Sequence, residues 1–185
     1  MRIFTGLDLP EGVIGSLQSS ISALRPAAPL IGWTQAEDLH ITTKFVGEWP
    51  AARLDEVKSV LAEVPRNGPI PIRIEGVGWF PNAHSPRVFW AAVHAPEALQ
   101  ALAADTDRAT AKLGVEPESR AFRPHLTLAR IKQVSNSAPL RQAAAGLGSL
   151  NFGSLVAQSF FLYLSEPSAT SKGSKYTKLA EFPLT

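Results

Sequence analysis

The stretch His40-Ile41-Thr42-Thr43-Lys44-Phe45 returns 85 residues further on as His125-Leu126-Thr127-Leu128-Ala129-Arg130. Each copy reads His-x-Thr-x. Side chains along a β-strand alternate between faces, so His40 shares a face with Thr42, and His125 with Thr127. An imidazole titrates near neutral pH and passes a proton, whereas a hydroxyl hydrogen-bonds a phosphoryl oxygen without changing charge. Two such pairs facing one pocket would form a metal-free acid/base device for a phosphodiester. Ten threonines in 185 residues give any histidine roughly a one-in-eighteen chance of a Thr two places on. Two of the four histidines have one, so chance is a poor account of the pattern.

The same offset relates longer segments. Ile3-Phe4-Thr5-Gly6-Leu7-Asp8-Leu9-Pro10-Glu11 and Val88-Phe89-Trp90-Ala91-Ala92-Val93-His94-Ala95-Pro96-Glu97 both read as a strand running into a Pro-Glu helix start, with Phe4 and Phe89 in matching places. The second copy carries one extra residue between strand and helix. The chain is therefore read as one domain, residues 1–185, built of two repeats of about 1–86 and 87–185.

Composition bounds the rest. The chain is 45% apolar and 18% charged, a globular balance with enough length to bury a substantial core. A net charge of +2 is too small for a nucleic-acid coat, so any such contact must be local. The absence of cysteine excludes disulfides, thiolate metal ligands and a Cys nucleophile. With no signal-peptide pattern and no membrane-length apolar run, a soluble cytoplasmic protein is expected.

Along the chain, residues 3–9 read as a strand, and Pro10-Glu11 opens a helix with Val13, Ile14, Leu17, Ile21 and Leu24 at helical spacing, ended by Arg25-Pro26. A short strand at Ile31-Gly32-Trp33 precedes the first motif strand, 39–46. A second helix spans 51–64 and stops at Pro65. Ile70 to Val77 reads as a strand in which Pro71 marks an edge or a start. Phe80 to Arg87 reads as a loop between lobes, followed by a strand at 87–94, a helix from Pro96 to Leu113 and a Gly114 cap. After an irregular approach at 115–124 comes the second motif strand, 125–131, then a helix from Ser137 to Ala145. Ser159 to Ser165 and Ser174 to Phe182 close the chain as a hairpin. The sum is an α+β pattern, with mixed and antiparallel sheets and helices outside.

In both motifs and their flanks, the chain resembles the two-histidine phosphoesterase superfamily. More closely it is similar to the bacterial and archaeal RNA 2',3'-cyclic phosphodiesterases, historically called 2'-5' RNA ligases. The resemblance covers nearly the whole chain: Trp33, Glu37 and Leu39-His40-Ile41-Thr42 with Phe45-Val46-Gly47; Pro86-Arg87-Val88-Phe89-Trp90; Phe122-Arg123-Pro124-His125-Leu126-Thr127-Leu128-Ala129-Arg130; and Leu162-Tyr163-Leu164-Ser165 with Gly173 and Tyr176. Thr43 departs from it, since relatives usually carry an aliphatic residue there, and alternation puts Thr43 on the face away from the histidines.

The resemblance implies a bilobal, pseudo-twofold fold in which each lobe gives one motif strand to a central cleft. It also implies hydrolysis of an RNA 2',3'-cyclic phosphate to a 2'-phosphate, with ATP-independent 2'-5' ligation as the reverse, and no cofactor. In the order the family implies, His125 is the base toward water and His40 the acid toward the leaving 3'-oxygen. Thr42 and Thr127 would hold the non-bridging oxygens. A zinc site is disfavoured, because neither motif brings a carboxylate or a third histidine.

Arg130 ends the second motif and matches a substrate-contacting position, but strict alternation turns it away from His125 unless the strand bulges. Lys44, on the His40 parity, and Arg123 are alternative cations whose ordinary role is solvated charge. Phe45, Phe122, Trp33 and Tyr176 could stack a base, with core packing as the plainer role. His84 and His94 read as surface residues. The expected partner is an RNA end bound by a monomer, away from membranes. The alternatives left open are a non-catalytic RNA-end binding module and a phosphoesterase for a small cyclic nucleotide.

Overall fold

The computed structural model describes residues 1–133, 137–148, 150–167 and 174–185. The apolar residues expected to recur at helical spacing do so over α1 (Glu11–Leu24), which turns Val13, Leu17, Ile21 and Leu24 inward and ends against Arg25 and Pro26. Around it the chain runs β1 (Arg2–Leu7), β2 (Gly32–Trp33), β3 (Ile41–Glu48), α2 (Leu54–Ala62), β4 (Ile70–Phe80), β5 (Val88–His94), α3 (Glu97–Ala111), β6 (His125–Arg130), α4 (Ala138–Gly146), β7 (Asn151–Ala157), β8 (Ser159–Pro167) and β9 (Ser174–Pro183). These form two antiparallel sheets in an α+β arrangement, ordered β3-β1-β8-β9 and β2-β6-β5-β4-β7. No helix among the described residues is long and apolar enough to cross a membrane.

Several boundaries move. The first motif strand starts at Ile41, so His40 stands just ahead of it. A 3-10 turn over Ala51–Arg53 precedes α2, which stops at Ala62, short of Pro65. Pro71 is indeed at a strand start: β4 pairs there only with β7, and pairing with β5 begins at Arg73. β7 was not expected from the sequence. Its apolar alternation is broken by Gly153, whose φ of +117° bulges the strand, so Leu155 and Val156 follow each other out of phase. Gly173 and the turn between β8 and β9 lie outside the described residues.

The segment 80–87 does not separate lobes. It closes the hairpin between β4 and β5, which belong to one sheet. The halves of the sequence are interleaved: β1 and β3 share a sheet with β8 and β9, while β2 and β4 share the other with β5, β6 and β7. Within that frame β1-α1-β3 corresponds to β5-α3-β6, each motif strand lying beside the first strand of its unit. The helices cross over. α1 follows a strand of the first sheet and packs on β7 of the second, whereas α3 does the reverse and packs on β3.

Both motif strands carry a one-residue bulge at the same place. Pairing with β1 skips Thr43, and pairing with β5 skips Leu128. Residues 40–45 and 125–130 accordingly share one burial sequence: partly buried, buried, partly buried, buried, buried, exposed. Thr43 fills a core position with a hydroxyl, and that hydroxyl shares a 2.7 Å hydrogen bond with the buried hydroxyl of Thr5. Thr43→Val alone strands the Thr5 hydroxyl and is expected to lower unfolding free energy by about 1–3 kcal/mol, while Thr5→Val with Thr43→Val returns close to wild type. Urea melts of the two single variants and the double variant check this, and additive losses would overturn it.

Candidate active site

The facing ends of β3 and β6 enclose a cleft of about 550 Å3. His40 and Thr42 enter from one sheet, and His125, Thr127 and Arg130 from the other. Asp38, Phe45, Tyr176 and Thr34 also line it, as do Arg2 and Ser165, opposite each other on β1 and β8, and Ser174. A shallower groove of about 580 Å3, between β4, β7 and the start of α3, has no comparable gathering of proton-transfer groups.

The two imidazoles are held alike. His40 Nδ1 donates to the Asp38 carbonyl and His125 Nδ1 to the Arg123 carbonyl, each at 2.7 Å. A carbonyl only accepts, so both Nδ1 atoms carry hydrogen and both Nε2 atoms remain for proton transfer. Each ring also leans on aromatics. His40 lies 4.7 Å from Phe4 and 4.8 Å from Tyr176, the latter edge-on. His125 stands edge-on to Phe80 at 5.0 Å, and Phe80 lies 4.9 Å from Trp90. Trp90 fits only because residue 78 is glycine: a Cβ there would meet the indole at 2.1 Å. Thr34 ties the two motifs together. Its hydroxyl donates to the Thr127 carbonyl at 2.8 Å, while its amide donates to the Leu128 carbonyl at 2.9 Å.

Burial sets the electrostatics. It pushes His40 from 6.5 down to about 4; the Asp38 carbonyl bond opposes this, and the charges of Arg130 and His125 add to it. His125 is lowered too, first by burial and then by Arg130, against the pull of its own carbonyl bond. Asp38 moves up to about 6, by burial and by its neighbour Glu37. Burial raises the Tyr176 phenol, with Asp38 adding to the shift. Both histidines are thus neutral in an empty cleft at pH 7.

The remaining expected residues divide. Arg130 needs a bulge to reach the histidines' side, and the skipped Leu128 supplies it. Phe45 is placed by the matching bulge at Thr43 and is 58% exposed at the cleft, so core packing is not its role. Tyr176 does both: it lines the cleft and packs, partly buried, against the small cluster of Phe4, Phe161 and Tyr163. Lys44 is turned away by the same bulge: it is buried, 2.5 Å from Asp107 and 2.8 Å from the Glu116 carbonyl, and is no substrate cation. Arg123 contributes its carbonyl while its side chain stays outside the cleft wall.

Trp33 and Phe122 pack on the core as expected, Trp33 donating its indole N–H to the Ala28 carbonyl at 2.9 Å. His84 and His94 are exposed. Asp38, Thr34 and Arg2 carry no sequence signal, because a backbone carbonyl or a distant strand start leaves no motif. Among the described residues, no three His, Cys, Asp or Glu side chains gather to hold a metal ion.

Known proteins share this architecture. A sequence profile of the 2'-5' RNA ligase superfamily matches residues 15–154, which include both motifs. The chain is 32% identical to the RNA 2',3'-cyclic phosphodiesterase of Methanothermobacter thermautotrophicus, covering 100% of this chain and 99% of that one. It is 31% identical to the protein of the same name from Thermus thermophilus, covering 100% and 90%. In structure it is similar to TT0787 of Thermus thermophilus, with a TM-score of 0.82 and 29% identity over 100% and 98% of the two chains. E. coli LigT, solved with ATP, gives a TM-score of 0.77 and 25% identity over 100% and 98%. With its two motif strands inside the matched span, the chain belongs to the 2'-5' RNA ligase superfamily.

Proposed function

We propose that this protein hydrolyses RNA 2',3'-cyclic phosphate ends to 2'-phosphomonoesters by metal-independent acid/base chemistry between His40 and His125. The observation that carries the reading is the meeting, in one cleft, of two imidazoles held identically through Nδ1, each with its own hydroxyl. The names of its relatives support the same substrate. A reaction that moves one proton off water and another onto a ribose oxygen needs two such groups and no further catalyst.

Water attacks phosphorus in line with the 3'-oxygen. His125 Nε2 takes the proton of the water, the P–O3' bond breaks, and His40 Nε2 gives its proton to the 3'-oxygen. Thr42 and Thr127 hold the non-bridging oxygens, and Arg130 offsets the charge that builds on them. Burial favours the first proton on His125 rather than His40 in the empty site. A phosphodiester anion between the two imidazoles favours a proton on either, so the working form is one of two arrangements of a single shared proton. A 5'-hydroxyl in place of water would give a 2'-5' linkage with no nucleotide cofactor. The same reading has a monomer act on an RNA end in the cytoplasm.

An oligoribonucleotide ending in a 2',3'-cyclic phosphate, incubated with the protein in a chelator, is expected to yield only the 2'-phosphate. His40→Ala and His125→Ala should each slow it about 10²–10⁴-fold. A 3'-phosphate product, or full turnover by His125→Ala, would overturn the reading, and turnover abolished by the chelator would remove its metal independence.

The pH dependence follows from the shifts. Below about pH 4 both imidazoles are charged and no base remains; above the His125 value, itself under 6.5, both are neutral and no acid remains. kcat/KM is therefore expected to peak between about 4 and 6.5 and to fall on both sides. Arg130→Gln removes a charge that lowers both histidines, so besides slowing turnover it should move the alkaline limb to higher pH. A profile left unmoved by that substitution would count against Arg130 facing the reacting groups.

A further inference from the structure

The chemistry above uses one of two guanidinium groups that face the cleft. The other is Arg2, exposed at the start of β1, which shares the cleft wall with Ser165 of β8 and Ser174 of β9. Among the described residues Arg2 makes no ion pair. Glu48, opposite it on β3, instead has its carboxylate 3.7 Å from the amino group of Met1. Arg66, Arg87 and Arg141, outside the cleft, also lack a side-chain carboxylate but each donates to a backbone oxygen; what sets Arg2 apart is its place on the cleft wall.

Arg2 lies two residues along β1 from Phe4, the ring beside His40, which places its Cα about 7 Å further down the strand. Tyr176, edge-on to His40, is within electrostatic range of both Arg130 and Arg2 and lines the cleft together with Ser174. A guanidinium without a carboxylate, opposite Ser165 on the neighbouring strand and in a cleft that Ser174 also lines, offers the donor set that binds a phosphate oxyanion. The nucleotide that carries a terminal cyclic phosphate carries its next phosphate on the 5'-oxygen, one ribose away.

We propose that Arg2, with Ser165 and Ser174, forms a second phosphate subsite that takes the 5'-phosphate of the terminal nucleotide. The cleft then favours oligonucleotide ends over nucleoside 2',3'-cyclic phosphates that lack it. This rests on the reading of His40 and His125 as the reaction centre for a cyclic phosphate.

Binding tests the subsite without relying on turnover. Calorimetry with adenosine 2'-monophosphate and adenosine 2',5'-bisphosphate gives the affinity gained from the 5'-phosphate, for the wild type, Arg2→Gln and Arg2→Lys. The wild type is expected to prefer the bisphosphate about tenfold or more, Arg2→Gln to lose most of that preference, and Arg2→Lys to keep part of it. Unchanged thermal melting of both variants shows that they fold. Equal affinities in the wild type, or a preference that survives Arg2→Gln, would overturn the subsite. Hydrolysis assays with a nucleoside 2',3'-cyclic phosphate and its 5'-phosphorylated form separate the two readings: no turnover of either defeats the proposed reaction while the binding ratio still judges Arg2.

Discussion

Strand alternation can aim two side chains of a short motif at one point, but it then delivers whatever stands two places further on. In this chain that would be Lys44 and Ala129. The skipped residues Thr43 and Leu128 reset the phase by one, so that Phe45 and Arg130 become the third groups facing the cleft. The rest of the site depends on that reset. It sends Lys44 into the space beneath α3, where its charge meets Asp107, and it leaves the cleft with an aromatic at the third position of one motif and a cation at the third position of the other. Two nearly identical motifs thus build an asymmetric site.

Much of this was legible in the sequence because it rests on side-chain identity at fixed spacing. The paired His-x-Thr motifs, the Pro-Glu helix starts and the apolar stripe of α1 all stand where periodicity put them. What escaped was carried by the backbone. Aromatic content suggests burial for Phe45, while its exposure follows from a bulge that composition does not encode. The carbonyls of Asp38 and Arg123 orient the two imidazoles, and any residue supplies a carbonyl. β7 leaves no signal in the sequence because Gly153 breaks its alternation, and a loop rich in Pro, Asn and Ser, such as 80–87, looks the same between lobes as within a hairpin.

The elements that hold the site also tie its halves to each other. Thr34 leads into the first motif yet bonds the backbone of the second. Lys44, on the strand of the first motif, grips the Glu116 carbonyl, and Asp107 accepts from the amide of Glu118, so the segment that leads to Arg123 and His125 is anchored to the opposite sheet. A buried ion pair of this kind contributes little net stability against an apolar replacement, but breaking it by removing one partner is costly. Its structural effect is to make the spacing of the two imidazoles a property of the whole molecule.

The interleaved sheets bear on ancestry. Neither sheet can be assembled from one half of the sequence, so a severed half would leave a ladder of backbone groups open on each of its pieces. If the two β-α-β units descend from a single shorter gene, its product had to intertwine with a second copy to close either sheet, and its survival depended on concentration. Fusion removed that dependence, since joining the copies costs only the slow, logarithmic entropy of closing a longer loop. It also freed the two copies to diverge, which a symmetric pair encoded by one gene could never do.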